Sequence, residues 1–194
     1  MIEQLCHEAI QYGFKAVCVE PKWVPLCCAK LPETTLIAAV IGFPDGSCSA
    51  AAKVAEAQAA SRAGATEIDM VIDTRALWAG DYRRAFLDIA GVVDAVAPVV
   101  VKVILETGTL CHDAKIAGCV IAKAAGAGFV KSSTGLLSPG AVAGDIALMR
   151  AVVGAEMGVK ASGGIRTRDQ AQAMLNAGAN RIGTSHGVAL VSDS

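Results

Sequence analysis

The sequence predicts an α/β chain folded as a closed (β/α) barrel. Short apolar runs of strand composition alternate with helical patterns from one end of the chain to the other. Three helical segments end Ala-Gly-Ala just before a strand: Ala63-Gly64-Ala65, Ala125-Gly126-Ala127 and Ala177-Gly178-Ala179. Glycine is a natural helix stop, and small residues let a helix lie close on a strand. Polar residues stand at the ends of many different strands, and glycine-rich loops follow the last two. That distribution favours a closed barrel over a doubly wound sheet, which would share the rhythm.

Met1 to Tyr12 reads as an amphipathic helix, with Ile2, Leu5, Cys6, Ala9 and Ile10 on one face and Gly13 as its stop. Phe14 to Val19 is a short apolar strand, and Pro21 to Leu31 is a short helix or loop. Thr35 to Ile41 is a second strand, followed by a loop over Gly42-Phe43-Pro44-Asp45-Gly46. Ser47 or Ser49 caps a helix running to about Ala63. Glu67 to Ile72 is a third strand, Thr74 to Ala79 a helical turn, and Asp81 caps a helix to about Ala97. The β-branched run from Pro98 to Leu105 suits a strand buried on both faces. A helix from Thr109 to Ala125 leads into a strand ending at Lys131. Ser138-Pro139 opens the next helix, with proline in its first turn, running to about Val153. Met157 to Ala161 is a sixth strand, Thr167 to Ala177 a helix, and Ala179 to Gly183 a seventh strand before a short final helix. No linker or low-complexity stretch interrupts the series, so residues 1–194 read as a single domain.

A chain of 194 residues that is 54% hydrophobic can bury a large core. Its net charge of -1 gives no reason to expect nucleic acid. Charges break every apolar run before it reaches membrane-spanning length, and no signal-peptide pattern opens the chain. The seven cysteines are odd in number and form no C-x-x-C pair. They read as reduced, mostly buried residues of a cytoplasmic protein. His7, His112 and His186 show no ligand spacing, so neither a metal nor another cofactor is expected.

The chemistry centres on Gly128-Phe129-Val130-Lys131-Ser132-Ser133-Thr134-Gly135, a buried strand that presents an amine at its end and continues into a hydroxyl-rich loop. Lys102, Lys131 and Lys160 recur at 29-residue intervals, one per βα unit. A barrel brings them round one interior, where a neighbouring ammonium lowers the pKa of a lysine amine. A neutral lysine amine attacks carbonyls, so Lys131 is the candidate imine-forming nucleophile. Asp69, inside the strand Glu67-Ile68-Asp69-Met70-Val71, is placed to balance charge and move protons. Ser162-Gly163-Gly164 and Gly183-Thr184-Ser185-His186-Gly187 follow the last two strands, where barrels commonly bind phosphate on backbone N–H groups. Arg166 stands beside them as a phosphate helper or a rim ion pair. Thr134 and Lys102 complete the expected substrate-binding set. Glu106, Thr107 and Asp73 either touch substrate or hold the lysines, and Cys18 is read as core packing.

These motifs together resemble the deoxyribose-phosphate aldolase family in its short bacterial form. The matching pieces are Gly13–Val19, Val40–Pro44, Glu67–Ile72, Val101–Thr107, Phe129–Gly135, Val159–Thr167 and Arg181–Ser185, in the family's order. The resemblance implies a TIM-type (β/α)8 barrel and a metal-independent class I aldolase. Its reaction is reversible cleavage of 2-deoxy-D-ribose 5-phosphate to D-glyceraldehyde 3-phosphate and acetaldehyde. It implies that Lys131 forms the imine, that Lys160 perturbs Lys131, and that Asp69 works with Lys160 in proton transfer. Gly163, Gly164 and Ser185 match phosphate-loop positions. The expected partner is a small phosphorylated sugar, and self-association stays open. The chain departs from the family in four ways, one being Leu136-Leu137-Ser138-Pro139 in place of a more glycine-rich turn. It begins at the first helix, without the preceding Asp-His-Thr-like strand, so seven strands are visible and the first is missing. Glu20 stands where the short form often has Asn, and His186 where a second serine is common. Two alternatives fit the residues less fully: another phosphosugar aldolase or isomerase, and an inactive phosphosugar-binding barrel.

Overall fold

The computed structural model describes residues 1–137 and 139–192. Its elements run α1 (Ile2–Gln11), β1 (Ala16–Val19), α2 (Val24–Lys30), β2 (Leu36–Ile41), α3 (Ala50–Arg62), β3 (Glu67–Val71), α4 (Thr74–Trp78), α5 (Tyr82–Val96), β4 (Val100–Ile104), α6 (His112–Ala124), β5 (Phe129–Lys131), α7 (Ala143–Val153), β6 (Gly158–Ser162), α8 (Arg168–Asn176), β7 (Arg181–Gly183) and α9 (Gly187–Val191). Every strand is parallel to its neighbours, and the sheet order is the chain order, β1 to β7.

The sheet curls. In a flat sheet β3 and β7 would lie roughly 19 Å apart, at about 4.8 Å per strand. Yet Arg181 Nη1 on β7 reaches Glu67 Oε1 on β3 at 2.8 Å. The result is a half-barrel with helices on its outer face. Alternation along each strand sorts the side chains. On β3, Ile68 and Met70 pack outward in the apolar core, while Glu67 and Asp69 face the interior. Val103 of β4, Val130 of β5 and Val159 of β6 continue that outer layer, all fully buried. Full burial of such a side chain contributes about 1.5–3 kcal/mol.

The three Ala-Gly-Ala endings close their helices in the same way. Gly64, Gly126 and Gly178 all have positive φ. The N–H that follows each turns back to a carbonyl five residues earlier: Ala65 to Ala60, Ala127 to Ala122 and Ala179 to Met174. Ser49, rather than Ser47, caps α3, accepting from Ala52 N at 3.2 Å. Asp81 caps α5 as expected.

Helix α7 begins at Ala143, later than the Ser138-Pro139 start expected from sequence; Ser138 lies outside the described residues. Gly140, at φ 93, brings its Cα against Gly163, and Ala141 N donates to Gly163 O at 3.0 Å. These contacts hold the segment extended over the neighbouring loop before the helix can start. The cysteines also differ from expectation. Cys6, Cys27 and Cys119 are buried, Cys48 is half-buried, and Cys18, Cys28 and Cys111 are exposed. Among the described residues β1 and β7 do not pair with each other, so the barrel is open between them.

Candidate active site

Inward side chains of four consecutive strands meet at Asp69. This carboxylate is fully buried at the centre of β3. Its Oδ2 accepts from Lys131 Nζ at 2.9 Å and from Lys160 Nζ at 2.8 Å. Its Oδ1 accepts from Lys102 Nζ at 2.8 Å. Strand register decides who stands where. Lys131 is in register with Lys160, so the two amines lie side by side at one height. Lys102 is in register with Phe129, two residues earlier on β5 than Lys131. Equal spacing in sequence therefore becomes two heights in space, with Lys102 below the other two.

Lys102 is fully buried, with Asp69 on one side and Glu67 Oε2 at 2.7 Å on the other. The residue expected in the substrate-binding set thus has its ammonium between two carboxylates, beneath the Lys131 and Lys160 amines. Glu67 in turn accepts from Arg181 at 2.8 and 2.9 Å. Arg181 also lies over the Phe129 ring, 5.3 Å from its centroid. Neither Glu67 nor Arg181 stood out in the sequence as a site residue. An acidic residue two positions before Asp69 was the available signal, because it had to share Asp69's face.

The electrostatics differ from expectation. Burial opposes charge on Asp69, but Lys131, Lys160 and Lys102 together hold its carboxyl well below the usual carboxylate range. Burial likewise favours the neutral amine of Lys131. The Asp69 carboxylate outweighs it, with Cys18 and Glu106 acting in the same direction, and raises Lys131 above the ordinary lysine value. The expected lowering by neighbouring ammoniums is thus overridden by the carboxylate they share.

Cys18 on β1 is exposed, and its thiol donates to Asp69 Oδ2 at 3.6 Å. It lines the site rather than packing in the core, because it alternates with Val17 and Val19, which take the core face of the strand. Asp73 does neither of the things expected of it: it caps α4 through Ala76 N and pairs with Arg84 and Arg75. Glu106 holds the loop after Lys131, accepting from Ser133 and Thr134. Thr107 is buried, and its Oγ1 makes no hydrogen bond.

The two glycine loops lie side by side above Lys160. Ser162 is in register with Gly183, and Thr184 Oγ1 donates to Ile165 O at 2.6 Å. Gly163 and Gly164 have φ of 90 and 74. A Cβ on Gly183 would lie 3.0 Å from Lys160 Cε, so glycine there makes room for the lysine. Ser185 and His186 are exposed at the start of α9, with the Ser185 hydroxyl 3.1 Å from His186 Nδ1. Arg166 is exposed on the neighbouring loop. Among the described residues no group of three or more His, Cys, Asp and Glu side chains is arranged to hold a metal ion.

Two lysines share one buried carboxylate here, beside two glycine loops. Residues 1–192 match the model of the DeoC/LacD family aldolases. The chain belongs to that family. The deoxyribose-phosphate aldolase of Thermococcus gammatolerans is 53% identical to this DeoC/LacD chain, over 98% of this chain and 87% of the relative. That of Brevibacillus brevis is 46% identical, over 98% and 87%. The solved structure of the Aeropyrum pernix deoxyribose phosphate aldolase, described as a unique tetramer, superimposes with a TM-score of 0.88. It is 32% identical, over 98% of this chain and 81% of that one. The DeoC/LacD likeness thus spans the whole half-barrel, with Lys131, Lys160 and Asp69 inside it.

Proposed function

We propose that this chain is a class I aldolase that cleaves 2-deoxy-D-ribose 5-phosphate reversibly to D-glyceraldehyde 3-phosphate and acetaldehyde. The observation that carries the reading is the single oxygen, Asp69 Oδ2, shared by Lys131 and Lys160. Shared acceptance offers Lys131 a proton outlet while Lys160 keeps the pair's positive charge. Lys131 Nζ, once deprotonated, adds to the open-chain aldehyde, and loss of water leaves an iminium. The base then removes the proton of the C3 hydroxyl. The C2–C3 bond breaks, its electron pair moves into the iminium, and glyceraldehyde 3-phosphate departs. Protonation of the resulting enamine carbon and addition of water release acetaldehyde and restore Lys131. Asp69, ionised by its surroundings, and Lys160 are the groups within reach to pass these protons, through water where distance requires.

Phosphate belongs between the loop at Gly163-Gly164 and the loop at Gly183–Ser185, on backbone N–H groups. Thr134 lies on the substrate side of the nucleophile's loop. Residues 1–194 act in this reading as one barrel domain. A cytoplasmic location belongs to it too, supported by seven cysteines without a disulfide. The relatives' phosphosugar chemistry supports a small-molecule partner rather than nucleic acid. The tetrameric relative makes a homo-oligomer the assembly to test by light scattering.

The deciding experiment incubates the protein with 2-deoxyribose 5-phosphate and borohydride. Reduced adduct mass is expected on a peptide containing Lys131. Adduct only on Lys160 would reverse the assignment, and no adduct with no turnover would remove the aldolase reading. Turnover is expected to survive chelators.

A further inference from the structure

Glu106 follows β4 and, among the described residues, is the one non-glycine with a positive φ, at 58 with ψ 54. Bulky residues adopt that conformation at a cost, so something must hold it there. Its carboxylate is what is held. Only 1% exposed, it accepts from Ser133 Oγ at 2.8 Å on Oε1, and from Thr134 N at 3.0 Å and Thr134 Oγ1 at 2.6 Å on Oε2. Ser133 and Thr134 are the second and third residues after Lys131.

An ionised carboxylate has no proton to give, so both hydroxyl protons must point at Glu106. Each hydroxyl oxygen then accepts from the backbone two residues on: Gly135 N to Ser133 Oγ at 2.8 Å, and Leu136 N to Thr134 Oγ1 at 3.2 Å. The loop's turns and hydroxyl directions are thereby fixed together. The same loop is stitched to the next one. Ser162 Oγ donates to Ser133 O at 2.6 Å, Ser132 Oγ donates to Ser162 O at 3.1 Å, and a Cβ on Gly163 would lie 3.1 Å from both Gly135 Cα and Ser133 Oγ. One chain of contacts therefore runs from the strained end of β4, through the nucleophile's loop, to the glycine loop above Lys160.

We infer that Glu106 is a positioning residue: it sets the distance between the Lys131 amine and the Gly163-Gly164 loop, and so aligns a phosphorylated substrate with the nucleophile. It also leaves Thr134 Oγ1 to meet a substrate hydroxyl as an acceptor. Glu106 itself is too enclosed to touch substrate. This inference rests on the aldolase reading above and names the residue on which recognition of a long, phosphorylated substrate depends.

The test separates positioning from charge balance and from folding. Glu106→Asp keeps the charge but shortens the reach by one methylene. Glu106→Gln keeps the shape but sets an amide N–H₂ against hydroxyl and N–H donors. Two readouts are compared: kcat and KM for 2-deoxyribose 5-phosphate, and borohydride trapping of acetaldehyde alone on Lys131. Acetaldehyde is too short to reach the phosphate loop. Both variants are expected to lose about 30- to 100-fold in kcat/KM, mostly through KM, as misplacement of a bound substrate by a fraction of an ångström would give. Acetaldehyde trapping should stay within about threefold of wild type, since it needs no alignment. Wild-type kcat/KM in Glu106→Asp would reduce Glu106 to a charge and overturn the inference, as would an equal loss of trapping. If either Glu106 variant fails to fold, Ser133→Ala removes one hydroxyl donor from the other side. A raised KM with intact trapping supports the inference there, and unchanged KM overturns it. Wild-type turnover is measured first, because its absence would sink the aldolase reading itself, whereas the outcomes above bear on Glu106 alone.

Discussion

Asp69 Oδ2 lies 2.9 Å from Lys131 Nζ, on a strand two places round the barrel from that of the lysine. The carboxylate there favours the charged form of the lysine and raises its pKa. In the proposed reaction Lys131 gives up a proton before its amine adds to the aldehyde.

Removing that carboxylate should free the amine. In Asp69→Asn, the main influence that raises Lys131 is gone, only Cys18 and Glu106 still oppose burial, and the Lys131 pKa should fall. Acetaldehyde–borohydride labelling of Lys131, followed across pH, should shift to lower pH. Turnover of deoxyribose 5-phosphate should nonetheless fall about a hundred- to ten-thousand-fold, because proton transfer is lost. An unshifted labelling profile would show that Asp69 does not control the lysine.

Stability should carry the same signature. Asp69's folded pKa is depressed below the ordinary 3.8. Its contribution is therefore complete above about pH 4 and is lost as pH falls through the depressed folded value. Urea unfolding between pH 2 and 6 should show wild-type stability dropping with acid, and Asp69→Asn should flatten that slope while lowering the plateau. Lys131 works in the opposite sense. Raised above 10.5, it contributes fully below that value and loses its contribution as pH climbs through the folded one.

Gly163→Ala should weaken phosphate binding without touching the lysines. At φ 90 an added Cβ would sit 2.9 Å from Gly140 Cα and 3.1 Å from Gly135 Cα, both backbone positions. KM for deoxyribose 5-phosphate should rise about tenfold or more, as for a disturbed substrate-positioning contact. Acetaldehyde trapping on Lys131 should stay near wild type. A KM that does not move would place the phosphate elsewhere.

Outside the barrel, Lys53 and Asp88 form a buried ion pair between α3 and α5 at 2.5 Å. Lys53→Met should cost about 3–5 kcal/mol in denaturant unfolding, because Asp88 is left buried without its partner. Lys53→Met/Asp88→Leu should recover part of that loss. A Lys53→Met protein as stable as wild type would mean that water reaches Asp88.

The sequence by itself determined the order of elements and the strands on which Asp69, Lys131 and Lys160 lie. Alternating apolar and helical runs, with glycine stops at residues 64, 126 and 178, are local signals, and each was obeyed in place. Lys131, Lys160 and Asp69 were legible because charged residues inside apolar strands have few places to go. Only the tertiary structure decided how they meet. Register lowered Lys102 by two residues relative to Lys131 and set its ammonium against Asp69. Curling of the sheet joined Glu67 to Arg181 across the interior, a contact between residues 114 apart in the chain. The open edge at β1 brought Cys18 into the site, and the close approach of Gly140 to Gly163 delayed α7. The direction of the Lys131 pKa also lay beyond the sequence. It turns on whether the two neighbouring ammoniums or the carboxylate they share stand nearer to Lys131, and that competition of distances exists only once the barrel has curled.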